Sequence, residues 1–346
     1  MDAIILVGGR GTRLRPLTVT TPKPLLPVAG RPFIDHQLDR LRNAGVTHVV
    51  LATSYQPDVF AAYAGTQAVP GLDIECVTEV QPLGTGGGIR NVAARLRAAA
   101  DEPVVVLNGD VVSDHDIARQ LAEHQRVDAA VTLHLTVVDD ARPFGCVPTA
   151  ADGRVEAFIE KSDDPPTNQI NAGCYVFRRS VIDDIPTDRP VSVERETFPG
   201  LLEAGARLQG YVEASYWLDI GTPAAYLRAN CDLVQRDGDA LVAADARVMP
   251  NASVTGGSVL SPAVTVASGA VIERSVVLDG ASVGEGARVV SSVIGRFVRV
   301  GPDAVLEDAV IGDGARIGSR NELRAGMRIW PDTQIADGTI RFSSDV

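Results

Sequence analysis

Residues 6–28, LVGGRGTRLRPLTVTTPKPLLPV, gather Arg10, Arg13, Arg15 and Lys23 with three glycines and no carboxylate. The chain around them is acidic: 44 Asp and Glu stand against 32 Lys and Arg, for a formal charge of −12. Any anion must therefore be held by local charge, and this stretch is the place for it. Glycines let the main chain turn tightly and bring its N–H groups close to an anion. Basic side chains then clamp it, each charge-assisted hydrogen bond contributing about 1.5–3 kcal/mol. Neither GxxxxGK[ST] nor GxGxxG occurs, so this is not a Walker loop or a dinucleotide fingerprint.

Lys23 and Lys161 are the only two lysines; the other 30 of the 32 cations are arginine. A coding bias towards arginine would spare lysine where a compact ammonium is needed and a planar fork does not fit. Lys161 taken alone also reads as a solvated edge-strand residue. The carboxylates to watch are Asp110, at the end of the apolar run PVVVLNGD, and Asp219, in YWLDIGTP. Asn108-Gly109-Asp110 also fits a hairpin turn, although the helical pattern SDHDIARQLAEHQ follows it. Asp219 lies just ahead of a cap in which Thr222 is the N-cap and Pro223 the first helical residue, and it could belong to that cap. Two carboxylates at separate strand ends suit Mg²⁺, a hard ion that takes oxygen ligands.

The elements that carry these residues are short apolar runs alternating with helical patterns over residues 1–235. AIILV (3–7), HVVLAT (48–53), PVVVLN (103–108), AAVTLHL (129–135) and NAGCYVF (171–177) read as strands. FIDHQLDRLRNAG (33–45) reads as a helix stopped at Gly45, and RVEAFIEK (154–161) as an antiparallel strand. The alternation predicts an α/β, Rossmann-like, mostly parallel sheet covered on both faces, with ligands beyond the carboxyl ends of its strands.

After a linker at 236–245 the period changes. From Ile272 to Leu323 aliphatics recur at steps of 5, 6 and 6, a 17-residue coil repeated three times. Hexapeptide spacing of this kind predicts a parallel β-helix over 246–335, with GTIRFSSDV packed on its end. It has few polar clusters, and no histidine follows His134. That excludes histidine-dependent acyl transfer there and leaves a structural role, mediating self-association or holding the catalytic domain, with homo-oligomerisation through the β-helix expected.

Composition narrows the classes further. An acidic chain lacks the broad basic surface that nucleic acids and membranes reward, and no apolar run approaches the ~20 residues of a membrane span. Cys76, Cys146, Cys174 and Cys231 form no CxxC and read as reduced thiols of a cytoplasmic protein.

The string GGRGTRLRPLTVTTPKPLLPV resembles the signature of sugar-1-phosphate nucleotidyltransferases, which make nucleoside-diphosphate sugars. The resemblance continues through PLGTGGGI (82–89), LNGD (107–110), FGCV (144–147), EKSDDPPTNQINAGCYVF (160–177) and YWLDIGTPAAYL (216–227). It implies a GT-A-like catalytic domain (1–235) followed by a left-handed β-helix. PLGTGGGI and YWLDIGTP bring it nearest the branch that uses GTP and mannose 1-phosphate; thymidylyl transfer to glucose 1-phosphate is the alternative. Carried over by position, Arg13 and Lys23 would clamp the triphosphate. Gly8, Gly9, Gly11 and Thr12 would follow the nucleotide with their backbone, Leu6 would lie near ribose and base, and Gly84 and Thr85 would edge the base pocket. Asp110 and Asp219 would hold Mg²⁺. Gly145, Glu160 and Asn171 would contact the sugar, and Lys161 its phosphate. Many members read EKP where this chain has Glu160-Lys161-Ser162. A regulatory subunit without activity would have lost charged site residues, and Arg13, Lys23, Asp110, Lys161 and Asp219 are all present.

Overall fold

The computed structural model describes residues 1–66, 69–159, 161–187 and 189–341. Two compact units emerge: Met1–Gly9 with Ile34–Asp219, and Arg10–Phe33 with Ile220–Val346. The signature loop thus groups with the C-terminal half, although its first glycines close a strand of the other unit.

The first unit is built on a seven-stranded sheet. Its order is Leu208–Val212, Val131–Val137, Gln169–Arg178, Pro103–Asn108, Asp2–Leu6, His48–Thr53, Asp73–Thr78. Neighbours are parallel except Gln169–Arg178, which runs antiparallel to the strands on both sides. Central strands such as His48–Thr53 are buried at every position, the expected consequence of covering both faces. Ile4, Val50, Val104, Val106, Leu133, Tyr175 and Phe177 are fully buried members of its core. From Asp2–Leu6 the order proceeds outward through His48–Thr53, while Pro103–Asn108 lies on the other side. That reversal is a topological switch point, where sheets of this type open a crevice.

The helix expected over 33–45 spans Phe33–Asn43, with Gly45 at φ 86 just beyond it. RVEAFIEK does not form the expected strand. Among its described residues there are only isolated antiparallel bridges, Cys146 with Ile159, Thr149 with Val155 and Arg154 with Gln209. Residues 146–150 do run antiparallel alongside, with Cys146 and Ile159 exchanging bonds of 2.9 Å, but Pro148 in that segment has no N–H to donate and the ladder is broken there.

In the second unit three all-parallel sheets of six, six and five strands stack coil on coil. This is the left-handed β-helix that the hexapeptide spacing predicts. Pairing joins residues 17 apart in the middle coils, as in Ile272 with Val289 and Val289 with Leu306. The flanking coils are one residue longer, as in Val254 with Ile272 and Ile317 with Ile335. The repeating aliphatics form the core: Ile272, Val289 and Leu306 are wholly buried, as are Leu323, Ile294 and Ile311. The segment read as a linker already supplies Ala240–Val242 to the first sheet. At the other end Ile340 accepts a bond from the Glu322 N–H at 2.8 Å and donates its own N–H to Asn321 Oδ1 at 2.8 Å, closing the last coil.

A column of hydroxyls joins successive coils. The Ser275 N–H donates to Ser258 Oγ at 3.0 Å, the Ser292 N–H to Ser275 Oγ at 3.1 Å, and the Ala309 N–H to Ser292 Oγ at 3.0 Å. All three serines are fully buried. Ser275→Ala leaves the Ser292 N–H without its acceptor, a loss of about 1–3 kcal/mol. Thermal melting should show a lower Tm for this variant, and an unchanged Tm would mean that the ladder adds nothing to stability.

Candidate active site

The phosphate-loop candidates lie in the second unit. Gly11 adopts the left-handed conformation, φ 58 and ψ 33, and its carbonyl accepts a 2.7 Å bond from Thr18 Oγ1. That conformation favours glycine, and the turn Thr12–Leu14 follows at once, with Leu14 buried and Arg13 exposed. Lys23 opens a second short turn, Lys23–Leu25, between Pro22 and Pro24, and is only 9% exposed. Thr12, Arg13 and Lys23 therefore share one looped segment.

In the α/β unit the candidates collect at the carboxyl ends of the strands. Leu6 ends the first strand, half-buried, and Gly8 and Gly9 follow it. Ser54 Oγ, beyond the end of the neighbouring strand, donates to the Gly8 carbonyl at 2.6 Å. The Gly109 N–H donates to the Leu6 carbonyl at 3.0 Å, which places Asp110 at the switch point.

A strand, Val111–Ser113, does follow Asn108-Gly109-Asp110, but it does not fold back on Pro103–Asn108 as a hairpin. It pairs antiparallel with Trp217–Asp219, and Asp219 lies directly opposite Val111. Opposed antiparallel residues have Cα atoms about 4.5–5.5 Å apart, so Asp110 and Asp219 come from distant parts of the chain to adjoining positions. The cap beyond is made by Thr222, which accepts from the Ala225 N–H at 3.2 Å; Pro223 begins the helix. Asp219 is thus a strand-end carboxylate, and the side-chain oxygen that caps the helix is that of Thr222. Carboxylate residues at adjoining main-chain positions are a donor set suited to a hard divalent cation.

PLGTGGGI forms the helix Gly84–Asn91. Gly84 has φ 73, and a Cβ there would meet the Val191 carbonyl oxygen at 2.6 Å, so glycine is required. The resulting close approach lets Val191 accept from the Gly86 N–H at 2.8 Å. Thr85 Oγ1 donates to Glu194 Oε2 at 3.0 Å and accepts from the Val193 N–H at 3.0 Å.

Glu194 leads to a cavity of about 480 Å³, whose lining includes Gly145, Phe158, Asn171, Glu194 and Arg195. The structure thus brings together Gly145 and Asn171, predicted as sugar contacts, and adds Glu194 and Arg195, which sequence reading missed. Asn171 is oriented by donating Nδ2–H to Tyr175 Oη at 2.8 Å and by accepting from the Gly173 N–H at 3.1 Å. Burial, and next the Glu194 carboxylate, keep the Tyr175 phenol protonated well above the usual range. The stretch SVERETFPG carries no spacing that would mark Glu194 in advance. Lys161 is exposed, two residues beyond the cavity-lining Ile159. Glu160 lies outside the described residues.

Other titratable clusters are built for structure. His115 and His134 stack at 3.7 Å, and burial pushes them down to about 2 and about 3, so both are neutral. His48, Asp73 and Glu75 also come together in a metal-like grouping. There Arg97 bonds both carboxylates and His48 Nδ1 bonds Asp2 at 3.0 Å, which makes an ion-pair network of it. Among the described residues no helix is long and apolar enough to cross a membrane.

Comparison with known proteins accords with this geometry. The nucleotidyl transferase family matches residues 2–236, and the GMPPB C-terminal domain matches residues 236–341. The mannose-1-phosphate guanylyltransferase of Mycobacterium tuberculosis is 51% identical, covering 100% of this chain and 99% of that protein. The mannose-1-phosphate guanylyltransferase 1 of Arabidopsis thaliana is 36% identical over 85% of this chain and 86% of its own. Among solved structures, HddC from Yersinia pseudotuberculosis complexed with GMP-PN superposes with a TM-score of 0.57 at 29% identity, covering 66% of this chain and 97% of that one. An α/β sheet with glycine turns and carboxylates at its switch point, a basic loop and a hexapeptide β-helix are thus matched along their whole length, and the chain belongs to the nucleotidyl transferase family.

Proposed function

We propose that this protein transfers a guanylyl group from GTP to mannose 1-phosphate, giving GDP-mannose and pyrophosphate. The observation that carries the reading is the 51% identity to a mannose-1-phosphate guanylyltransferase over the full length of both chains. The adjoining strand-end carboxylates support it, and the relative solved with GMP-PN fits the same base.

The chemistry is an in-line attack by a sugar-phosphate oxygen on the α-phosphorus, with pyrophosphate leaving. A phosphate monoester has a second pKa near ~6 and is largely dianionic at neutral pH, so no general base is needed. The barrier is repulsion: two unit charges ~4 Å apart repel by about 4 kcal/mol at an effective dielectric of 20. Arg13 and Lys23 clamp the triphosphate and offset the charge that builds on the departing pyrophosphate. Lys161 does the same for the incoming sugar phosphate. Gly8, Gly9, Gly11 and Thr12 follow the phosphates with their main chain, Leu6 lies by the ribose, and Gly84 and Thr85 edge the base. Gly145, Glu160 and Asn171 hold the sugar. Asp110 and Asp219 would hold a divalent cation, taken to be Mg²⁺, which when bound would withdraw charge from the phosphates.

The protein is read as cytoplasmic, which its free cysteines support. It is also read as self-associating through the β-helix, where Phe297 and Trp330 are 66% and 52% exposed.

Pyrophosphate release across a grid of nucleoside triphosphates and sugar 1-phosphates tests the specificity. GTP with mannose 1-phosphate should exceed every other pair by at least about tenfold in kcat/KM, since a site built to hydrogen-bond its substrate rejects analogues strongly. A maximum with dTTP and glucose 1-phosphate would transfer the assignment to thymidylyl transfer. Silence with every pair would mark a regulatory subunit.

A further inference from the structure

We propose that the β-helix is the positioning frame of the phosphate loop, with Arg328 as its principal anchor. Arg328 Nη1 donates two bonds of 2.9 Å, one to the main-chain carbonyl of Arg13 and one to that of Arg15. At the other end of the loop Thr20 Oγ1 donates to Asp313 Oδ2 at 2.8 Å, and Thr21 Oγ1 accepts from Arg296 Nη1 at 2.7 Å. The segment between Arg13 and Lys23 is thereby tied at both ends to coils far from it in sequence.

These anchors stand on a rigid base. Asp279, Arg296 and Asp313 are spaced 17 apart and occupy one position on successive coils. The Arg296 N–H donates to Asp313 Oδ1 at 2.8 Å, and its Nε to Asp279 Oδ2 at 3.1 Å, so the groups facing the loop hold one another in place. Arg328 is paired in register with Val310, which continues a column of Val259, Val276 and Val293. An arginine thus replaces valine in the last coil of that column, and there it reaches the loop's carbonyls.

The inference rests on the proposed reaction in one respect, the assignment of Arg13 and Lys23 to the triphosphate. A phosphate misplaced by about 1 Å costs on the order of a hundredfold in rate, and a loop holds geometry only as well as the groups that support it. Arg328, Arg296 and Asp313 are therefore positioning residues: they touch the loop and act through it.

The test uses the full-length chain with Arg328→Met, which keeps the apolar stem and removes the donors. Thr20→Val removes one of the two ties at the far end from the loop side, Arg328→Lys is the conservative rescue, and exposed Arg316→Met is the control. Steady-state kinetics should show a fall of about ten- to a hundredfold in kcat/KM for the nucleotide in Arg328→Met. KM for the sugar phosphate should stay within twofold, Arg328→Lys should recover part of the loss, and Arg316→Met should match wild type. Trypsin supplies a readout independent of the reaction: cleavage after Arg10 and Arg13 should accelerate at least tenfold in Arg328→Met, and should rise in Thr20→Val. Faster cleavage in a protein whose wild type transfers no nucleotide would uphold the anchor and overturn the functional reading. Unchanged cleavage together with wild-type nucleotide kinetics in both Arg328→Met and Thr20→Val would overturn the anchor, as would equal losses toward both substrates.

Discussion

Asp110→Asn and Asp219→Asn are each expected to lower transferase turnover by about 10²–10⁴-fold while leaving the fold intact. Each removes one of two carboxylates whose main-chain positions the Val111–Ser113 and Trp217–Asp219 pairing brings next to one another. A metal-type charge stabilisation of several kcal/mol, at 1.36 kcal/mol per tenfold, gives the range. The neutral amide keeps the shape of the side chain, so the strand pairing and the Thr222 cap should survive and Tm should move little. Turnover should be measured against divalent-cation concentration. High Mg²⁺ is expected to recover part of the activity, and chelation to abolish that of the wild type. A variant that keeps more than a tenth of wild-type turnover in limiting Mg²⁺ would falsify the metal assignment.

Lys23→Arg and Lys161→Arg look conservative in a chain whose other 30 cations are arginine, yet each is expected to cost about a hundredfold. A guanidinium is wider than an ammonium, planar, and directs its donors differently. Lys23 is 9% exposed between two prolines, and a Cβ built on Gly11 would come within 3.3 Å of Lys23 Cβ, so its base has little room to shift. Lys161 is exposed, so its substitution should disturb the fold less and act through the substrate alone. Kinetics with each substrate varied in turn should assign the Lys23→Arg defect to the nucleotide and the Lys161→Arg defect to the sugar phosphate. Wild-type values from both would make the survival of only two lysines an accident of composition.

Local periodicity and loop chemistry were legible before any coordinates. The coil repeat from Ile272 to Leu323 is visible because each coil must bury the same aliphatic column, so the packing constraint recurs in the sequence at the same interval. His48–Thr53 and Pro103–Asn108 match their apolar runs to the residue, because a strand covered on both faces has few positions for polar side chains. RVEAFIEK reads as a strand by the same local criteria and forms only bridges, since a ladder also requires a partner with a donor at every turn, and Pro148 in the facing segment 146–150 has none.

What the sequence determined by itself is therefore the class: an α/β sheet, a basic glycine loop after its first strand, and a hexapeptide β-helix. Each of these is encoded by neighbours within a few residues or at a fixed period. Tertiary structure alone decided which ends meet. Asp219 opposes Val111, Glu194 reaches Thr85 beside the cavity holding Gly145 and Asn171, and Arg328 reaches back to the carbonyls of Arg13 and Arg15. Such pairings join residues that no periodicity relates, and they depend on how the sheet and coils are wound. A single carboxylate or arginine carries no mark of the distant group it will touch until the fold has brought the two together.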